Sequence, residues 1–224
     1  MFKIDVNYLD SMTRVSQATG SFEDPVKKII HKGLQSSCTI FVKDGKNQWS
    51  GSGFHIGMGM IVTAAHVVPA DQPVNEIDIT FDGKSFYKAS ILLSDKNYDA
   101  AILSCKPIEK MIPALKLGNS NTIEVGDIVV VIGSPEGFHD TATVGRVSNV
   151  HQTLGESAPS LAWQDIIFVD ADILEGSSGG MVIGMDGFVY GLVMGVTGQH
   201  ADVGIGESSV SPSNKIKKML SEIV

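Results

Sequence analysis

Gly176-Ser177-Ser178-Gly179-Gly180, followed directly by the apolar run Met181-Val182-Ile183, is the stretch on which the fold turns. Its glycines let backbone N–H groups converge beside a hydroxyl, so it reads either as a plain loop or as a nucleophile turn. Taken as G-x-S-x-G, it requires a parallel sheet with alternating helices, and an acid and then a histidine after the serine. Asp186 and His200 lie downstream, but the sequence has no helical pattern alternating with its strands. The choice therefore rests on the segments to either side.

Those segments are short β-branched runs separated by turn residues. One series occupies residues 38–42, 53–56, 60–63, 77–81, 90–93 and 100–103. A second occupies 128–132, 141–147, 166–169, 181–183, 188–193 and the run leading to Val210. Asp44-Gly45, Asp82-Gly83 and Asp186-Gly187 sit between apolar runs as hairpin turns do, because glycine accepts positive φ. Met58-Gly59-Met60 reads as another hairpin tip. About a dozen strands in two sets predict an all-β protein of sandwiches or barrels.

Two helices frame the strands. In residues 24–33 Asp24 is the N-cap, Pro25 the first turn, Val26, Ile29 and Ile30 one face, and Gly33 the stop. At the other end, residues 211–214 supply capping groups, and Ile216, Met219, Leu220 and Ile223 recur at helical spacing. The predicted organisation is an arm and short helix over 1–35, a first β unit over 36–115, and a second with the C-terminal helix over 116–224. The join falls within 106–121, which holds Pro107, Pro113 and Gly118.

Composition narrows the function classes. Of 224 residues, 43% are hydrophobic, enough for a large core. Seventeen Lys and Arg against 25 Asp and Glu give a net charge of −8, which offers no field to draw nucleic acid or an anionic membrane. The opening residues mix acids with apolar side chains and lack the core of a signal peptide, so a soluble, cytoplasmic protein is expected. Cys38 and Cys105 are too few for a disulfide scaffold and are read as buried thiols. His31, His55, His139, His151 and His200 lack metal-site spacing, so neither a metal nor a cofactor is expected. Lys215, Lys217 and Lys218 are read as water-facing.

Three segments carry candidate chemistry. Thr63-Ala64-Ala65-His66-Val67-Val68 follows an apolar strand and can present His66 at its end. Asp99 enters the apolar run Ala100-Ala101-Ile102-Leu103, which places a carboxylate at the edge of the core. Ser178 lies in the glycine turn quoted above. Each alone is equally well explained by packing or by a loop. Together they supply a hydroxyl nucleophile, an imidazole to take and return its proton, and a carboxylate to fix the imidazole tautomer, as acyl transfer from an amide needs. The order His66, Asp99, Ser178 puts base and acid in the first strand set and the nucleophile in the second.

With those segments the chain resembles the trypsin/chymotrypsin-fold serine peptidases, most closely the HtrA/Deg branch. The resemblance runs over roughly residues 36–221. It is carried by Gly51-Ser52-Gly53-Phe54, the His66 and Asp99 segments, and Gly126-Asp127 through Ile132-Gly133-Ser134-Pro135-Glu136-Gly137. Thr141-Ala142-Thr143-Val144-Gly145-Arg146-Val147-Ser148, the run from Asp170 to Gly180, and Pro212-Ser213-Asn214 complete it. It implies two perpendicular six-stranded antiparallel β-barrels, trypsin-like, and endopeptidase activity on protein or peptide substrates, with oligomers possible. By the same resemblance Ser178 is the nucleophile, His66 the base and Asp99 its orienting carboxylate. The N–H groups of Gly176 and Ser178 form the oxyanion hole, with Ser177 as the turn residue between them.

The sequence departs from the family pattern at three points. Ser177 stands where digestive relatives carry the aspartate that pairs with a new N-terminus, so activation by that ion pair is not expected. The usual disulfides are missing. The PDZ domain that commonly follows in HtrA proteins has no counterpart in the sequence given, so its role in peptide capture is not carried over. The primary pocket is implied to be lined by residues 171–175, 193–196 and 207–210, with Asp172, Glu175, Val193, Met194, Gly195 and Val196 as the binding residues. Asp172 sits where a pocket-floor carboxylate would select Lys or Arg; if it points away, Val193 and Met194 favour aliphatic side chains. Two other readings stay open, a catalytically silent protein-binding module and a viral polyprotein-processing protease domain.

Overall fold

The computed structural model describes residues 24–45, 47–69, 76–134, 141–153, 164–173, 175–200 and 205–223. The expected arm over 1–23, residues 135–137 and His139 lie outside them. The first half contains β1 (Ser37–Asp44), β2 (Asn47–Gly57), β3 (Met60–Thr63), β4 (Glu76–Thr80), β5 (Tyr87–Lys88), β6 (Ser90–Asp95) and β7 (Ala100–Ser104). They form one sheet in the order β5-β4-β1-β2-β3-β7-β6. The second half contains β8 (Ile128–Gly133), β9 (Thr141–Gln152), β10 (Ile166–Asp170), β11 (Met181–Gly184), β12 (Val189–His200) and β13 (Ile205–Pro212). These close into a barrel in the order β10-β13-β12-β11-β8-β9.

The double all-β architecture is thus present, with one refinement. The first half is a seven-stranded half-barrel rather than six strands, because Tyr87 and Lys88 pair with Ile79 and Asp78 as a two-residue edge. Two residues are too few to give an alternation signal. The three Asp-Gly turns are hairpins, with Gly45, Gly83 and Gly187 at φ of 53°, 69° and 79°.

The run Val129-Val130-Val131-Ile132 reads as continuous apolar sequence because both faces of β8 are buried. Val129 and Val131 face the barrel interior with Val147, Ile167, Val169, Val182 and Val210, while Val130 and Ile132 join Met181 and Ile183 in the core shared with the first sheet. At roughly 1.5–3 kcal/mol per buried Val or Ile side chain, that second face is what welds the halves. Between them the backbone bonding passes from one body to the other within two residues. Leu115 N–H donates to His55 O at 2.9 Å, and Val189 N–H to Lys116 O at 2.9 Å.

Helix α1 (Pro25–Leu34) begins as the sequence predicts, with Asp24 Oδ1 accepting the Val26 N–H at 3.0 Å. Gly33 does not stop it. The helix packs on β8 and β11, and a Cβ at Gly33 would lie 2.3 Å from Ile132 Cδ1, so this glycine serves close approach. Helix α2 (Ser213–Leu220) buries Ser213, Ile216 and Met219. Its expected caps are instead tethers to other parts of the chain. Ser211 Oγ donates to Tyr98 O at 2.6 Å, Ser213 Oγ to Gly118 O at 2.8 Å, and Asn214 Nδ2 to Asn119 Oδ1 at 2.9 Å. No helix among the described residues is long and apolar enough to cross a membrane.

The β4–β5 turn makes a pH prediction. Asp82 Oδ1 accepts the N–H groups of Ser85 and Lys84 at 2.7 and 2.8 Å, and these bonds hold the carboxyl at about 2 against an ordinary 3.8. A carboxyl lowered by folding contributes stability above its unfolded value and loses it as pH falls through the folded one. Asp82→Asn should therefore flatten the stability loss between pH 3.8 and about 2, measured by urea titration at stepped pH. An unchanged acid limb would refute this.

Candidate active site

His66 and Asp99 meet because β3 and β7 pair with Thr63 opposite Ala101, which sets the end of one strand beside the start of the other. Beyond Thr63 the backbone turns through buried Ala64 and Ala65, with Val67 N–H donating to Ala64 O at 3.2 Å and Val68 N–H to Ala65 O at 3.2 Å. Trp49 Nε1 donates to Val67 O at 2.8 Å and pins that turn. Asp99 takes φ of 46°, a left-handed conformation that Asp tolerates better than most residues. Its carboxylate lies 2.8 Å (Oδ2) and 3.0 Å (Oδ1) from His66 Nδ1, and Oδ1 also accepts the His66 backbone N–H at 3.1 Å. A carboxylate can only accept here, so Nδ1 carries the proton and Nε2 is left as the base. The imidazole is 48% exposed and the carboxylate 13%.

The serine turn is clamped from three directions. Gly179 N–H donates to Val193 O at 2.8 Å, Gly180 N–H to Ser177 O at 2.9 Å, and Ser52 N–H to Ser178 O at 2.8 Å. Gly179 takes φ of 83°, and a Cβ there would lie 2.3 Å from Ser52 O and 2.4 Å from Thr63 Oγ1, so only glycine fits between the turn and the first sheet. Gly176 takes φ of 89°. The N–H groups of Gly176 and Ser178 donate to no other backbone carbonyl among the described residues. Ser178 Oγ donates to Met194 O at 3.3 Å, and among the described residues no hydrogen bond joins it to His66.

The implied pocket residues separate into different roles. Val193 is fully buried in the interior of the second barrel beside Val210, so its side chain does not line a pocket; strand alternation turns it inward. Met194 is 6% exposed and packs with the shared core, while a Cβ at Gly195 would meet nothing within 4 Å. Asp172 and Glu175 are exposed, and Thr143 Oγ1 donates to the Asp172 carbonyl at 2.9 Å. Ser208 Oγ donates to Ala171 O at 2.6 Å, and Ser209 Oγ to Gly195 O at 2.8 Å. Leu174 and the side chains of Val196 and Glu207 lie outside the described residues.

Sequence reasoning gave no role to Ser52, which the structure buries completely against the serine turn. Its only signal is a hydroxyl between two glycines, Gly51 and Gly53. Lys215 also departs from the water-facing reading. Its Nζ donates to Gln164 O at 2.6 Å and lies 5.9 Å from the centre of the Tyr98 ring. Burial lowers its pKa, opposed by the nearby charges of Asp165 and Asp99. Lys218 sits 5.5 Å from the same ring centre. Cys38 and Cys105 are free and buried, and burial pushes both thiols up. Among the histidines, His55 is buried with Nδ1 donating to Pro113 O at 3.2 Å, and His151 pairs with Asp165 at 2.7 Å. Among the described residues no group of three His, Cys, Asp or Glu side chains could hold a metal.

Comparison with known proteins gives a consistent result. The mouse serine protease HTRA3 is 35% identical over 177 residues, and the Xenopus tropicalis serine protease HTRA1 36% over 174; each alignment takes in 77% of this chain. The chain spans only 37% and 36% of those relatives' lengths. Among solved structures, the Rv3671c protease of M. tuberculosis in its active form superposes with a TM-score of 0.74 at 26% identity, covering 86% of this chain and 82% of that one. The HtrA-type protease AlgW with a tripeptide shares the fold, with a TM-score of 0.76 at 23% identity over 87% of this chain and 62% of that one. A family model described as a trypsin-like peptidase domain matches residues 51–192. Since that match takes in most of both β halves and the His66, Asp99 and Ser178 segments together, the chain belongs to the trypsin-like peptidase domain family.

Proposed function

We propose that the chain is a serine endopeptidase acting through a covalent acyl-enzyme on protein or peptide substrates. The observation that carries the proposal is the His66–Asp99 pair, because Asp99 accepts from both the ring and the backbone of His66 and leaves Nε2 as the proton acceptor. Ser178 Oγ attacks the scissile carbonyl carbon while its proton passes to His66 Nε2. The tetrahedral oxyanion is received by the Gly176 and Ser178 N–H groups, where one such donor is worth about 10²–10³ in rate. His66 then gives the proton to the leaving amine, the C–N bond breaks, and water repeats the sequence to release the acid. Buried, free Cys38 and Cys105 suit a cytoplasmic setting for this activity.

Fluorophosphonate labelling of the intact chain, Ser178→Ala and Ser177→Ala tests the proposal. Labelling lost only in Ser178→Ala supports it, and no labelling of the intact chain overturns it. The second reading, a protein-binding module without turnover, draws on the Ser178 hydroxyl, which bonds to Met194 O rather than to His66. Turnover requires that hydroxyl to rotate about Cα–Cβ when substrate arrives.

For specificity we propose a preference for Lys or Arg at the cleaved position. The exposure of residue Asp172 and the open space over Gly195 support it. A charge-assisted hydrogen bond of the usual strength should favour basic over aliphatic residues by about tenfold or more. Asp172→Ala should erase the difference in a peptide library. Equal cleavage of Arg and Leu substrates by the intact chain would refute the preference.

A further inference from the structure

We propose that Ser52 is a positioning residue that holds the backbone of the nucleophile turn in the shape needed to bind an oxyanion; this rests on the peptidase reading above. Ser52 lies on β2, in the half opposite the turn, and is fully buried. All of its polar groups are committed. Its Oγ donates to Gly176 O at 2.7 Å and accepts the Ser134 N–H at 2.7 Å. Its N–H donates to Ser178 O at 2.8 Å, and its carbonyl accepts from Thr63 Oγ1 at 2.7 Å on the strand leading to His66. The carbonyls of Gly176 and Ser178, the two residues whose N–H groups would receive the oxyanion, are therefore both held by this one residue.

The surroundings allow no easy substitute. Ser52 Oγ would stand 3.0 Å from a Cβ at Gly133, and Ser52 O 2.3 Å from one at Gly179, so glycines make the space the serine occupies. The polar chain continues through Ser134 Oγ to Thr39 Oγ1 at 2.6 Å, and Thr39 and Ser134 are buried as well. In such a site water does not replace a deleted hydroxyl cheaply. Without it Gly176 O loses its donor, and the Gly176–Ser177 peptide unit, which lies between the N–H groups of Gly176 and Ser178, is free to rotate. Gly176, at φ of 89° and with no side chain, has little to resist that rotation. A main-chain bond from Ser52 to Ser178 would survive in Ser52→Ala, so the nucleophile itself would stay in place.

The test compares the full chain with Ser52→Ala and with Thr39→Ala, which cuts the same network at its far end. Expected for Ser52→Ala is a kcat about 10²-fold lower, a KM changed less than threefold, and a peptide boronate inhibitor weakened by a factor like that in kcat. Peptide-resolved hydrogen exchange should quicken over residues 175–178. Thr39→Ala should retain kcat within threefold at a comparable loss of melting temperature. If Ser52→Ala fails to fold, Ser52→Cys, which keeps a side-chain donor but a weaker and bulkier one, is read in the same way. Unchanged exchange over 175–178 in the Ser52 variant, or an equal kcat loss in Thr39→Ala, overturns the proposal. A wild-type chain that fluorophosphonate does not label refutes the peptidase reading instead, and the exchange measurement still decides for or against Ser52.

Discussion

Ser178→Ala is expected to lower peptide hydrolysis by on the order of 10⁶-fold and leave the fold nearly as stable as before. Both halves of that expectation come from the same atom. Ser178 Oγ is the group that would bond to the scissile carbon, and the neighbouring hydroxyl cannot replace it. Ser177 is 5% exposed, and its residue lies on the side of the turn that bonds inward to Gly180. Among the described residues the Ser178 hydroxyl makes a single long bond, 3.3 Å to Met194 O, so its removal should cost no more than about 1 kcal/mol. The turn keeps its clamps, because Ser52 and Val193 hold it through main-chain atoms. Active-site titration with an acylating substrate, alongside urea denaturation, separates the two effects. A variant that still gives a stoichiometric burst would remove Ser178 from the mechanism.

The parts of this molecule that were readable from sequence are those where the cause is local. The Asp-Gly hairpins depend on a positive φ at one residue, and the β8 run depends on four consecutive apolar side chains. The start of α1 depends on Asp24 and Pro25. What escaped the sequence depends on contacts over long separations. Gly33 resembles a helix stop until Ile132 is seen against it. Residues 211–214 look like caps, yet Ser211 is spent on Tyr98, 113 residues away. The misplaced Val193 shows the limit of a segment-wise pocket assignment, since alternate residues of β12 face opposite ways and a bulge between Val193 and Gly195 resets the alternation.

The candidate site divides along the same line. His66, Asp99 and Ser178 could be named because each lies beside an apolar strand run and the three together supply a base, an orienting carboxylate and a nucleophile. The contact of His66 with Asp99 could not be read from either segment; it is made by the β3–β7 register, while the turn that carries Ser178 is held by Ser52 on β2, whose bond to Gly176 O joins positions 124 residues apart. The turn around Ser178 is thus bonded from the first half of the chain although it belongs to the second.

Asp99→Asn is the substitution that most sharply separates orientation from presence, and it is expected to lower kcat by about 10⁴-fold with the heavy atoms of His66 and residue 99 in place. The native carboxylate accepts twice, from the His66 backbone N–H at 3.1 Å and from the ring Nδ1 at 2.8 Å. An asparagine amide offers one acceptor oxygen and one donor nitrogen in the same space. If its oxygen keeps the backbone N–H, its NH₂ faces Nδ1, which can then only accept. The imidazole proton must move to Nε2, the atom that should receive the Ser178 proton, and general-base catalysis fails although no heavy atom has moved. Stability should change little, because Asn tolerates the φ of 46° at this position and fills the volume of Asp. The measurement is kcat with a fixed peptide substrate beside a thermal melt, and nitrogen-resolved NMR of the His66 ring reads the tautomer directly. A tenfold or smaller loss in kcat with the proton still on Nδ1 would mean that Asp99 only supports the His66 turn. A full loss with the proton on Nε2 would assign it the selection of the tautomer.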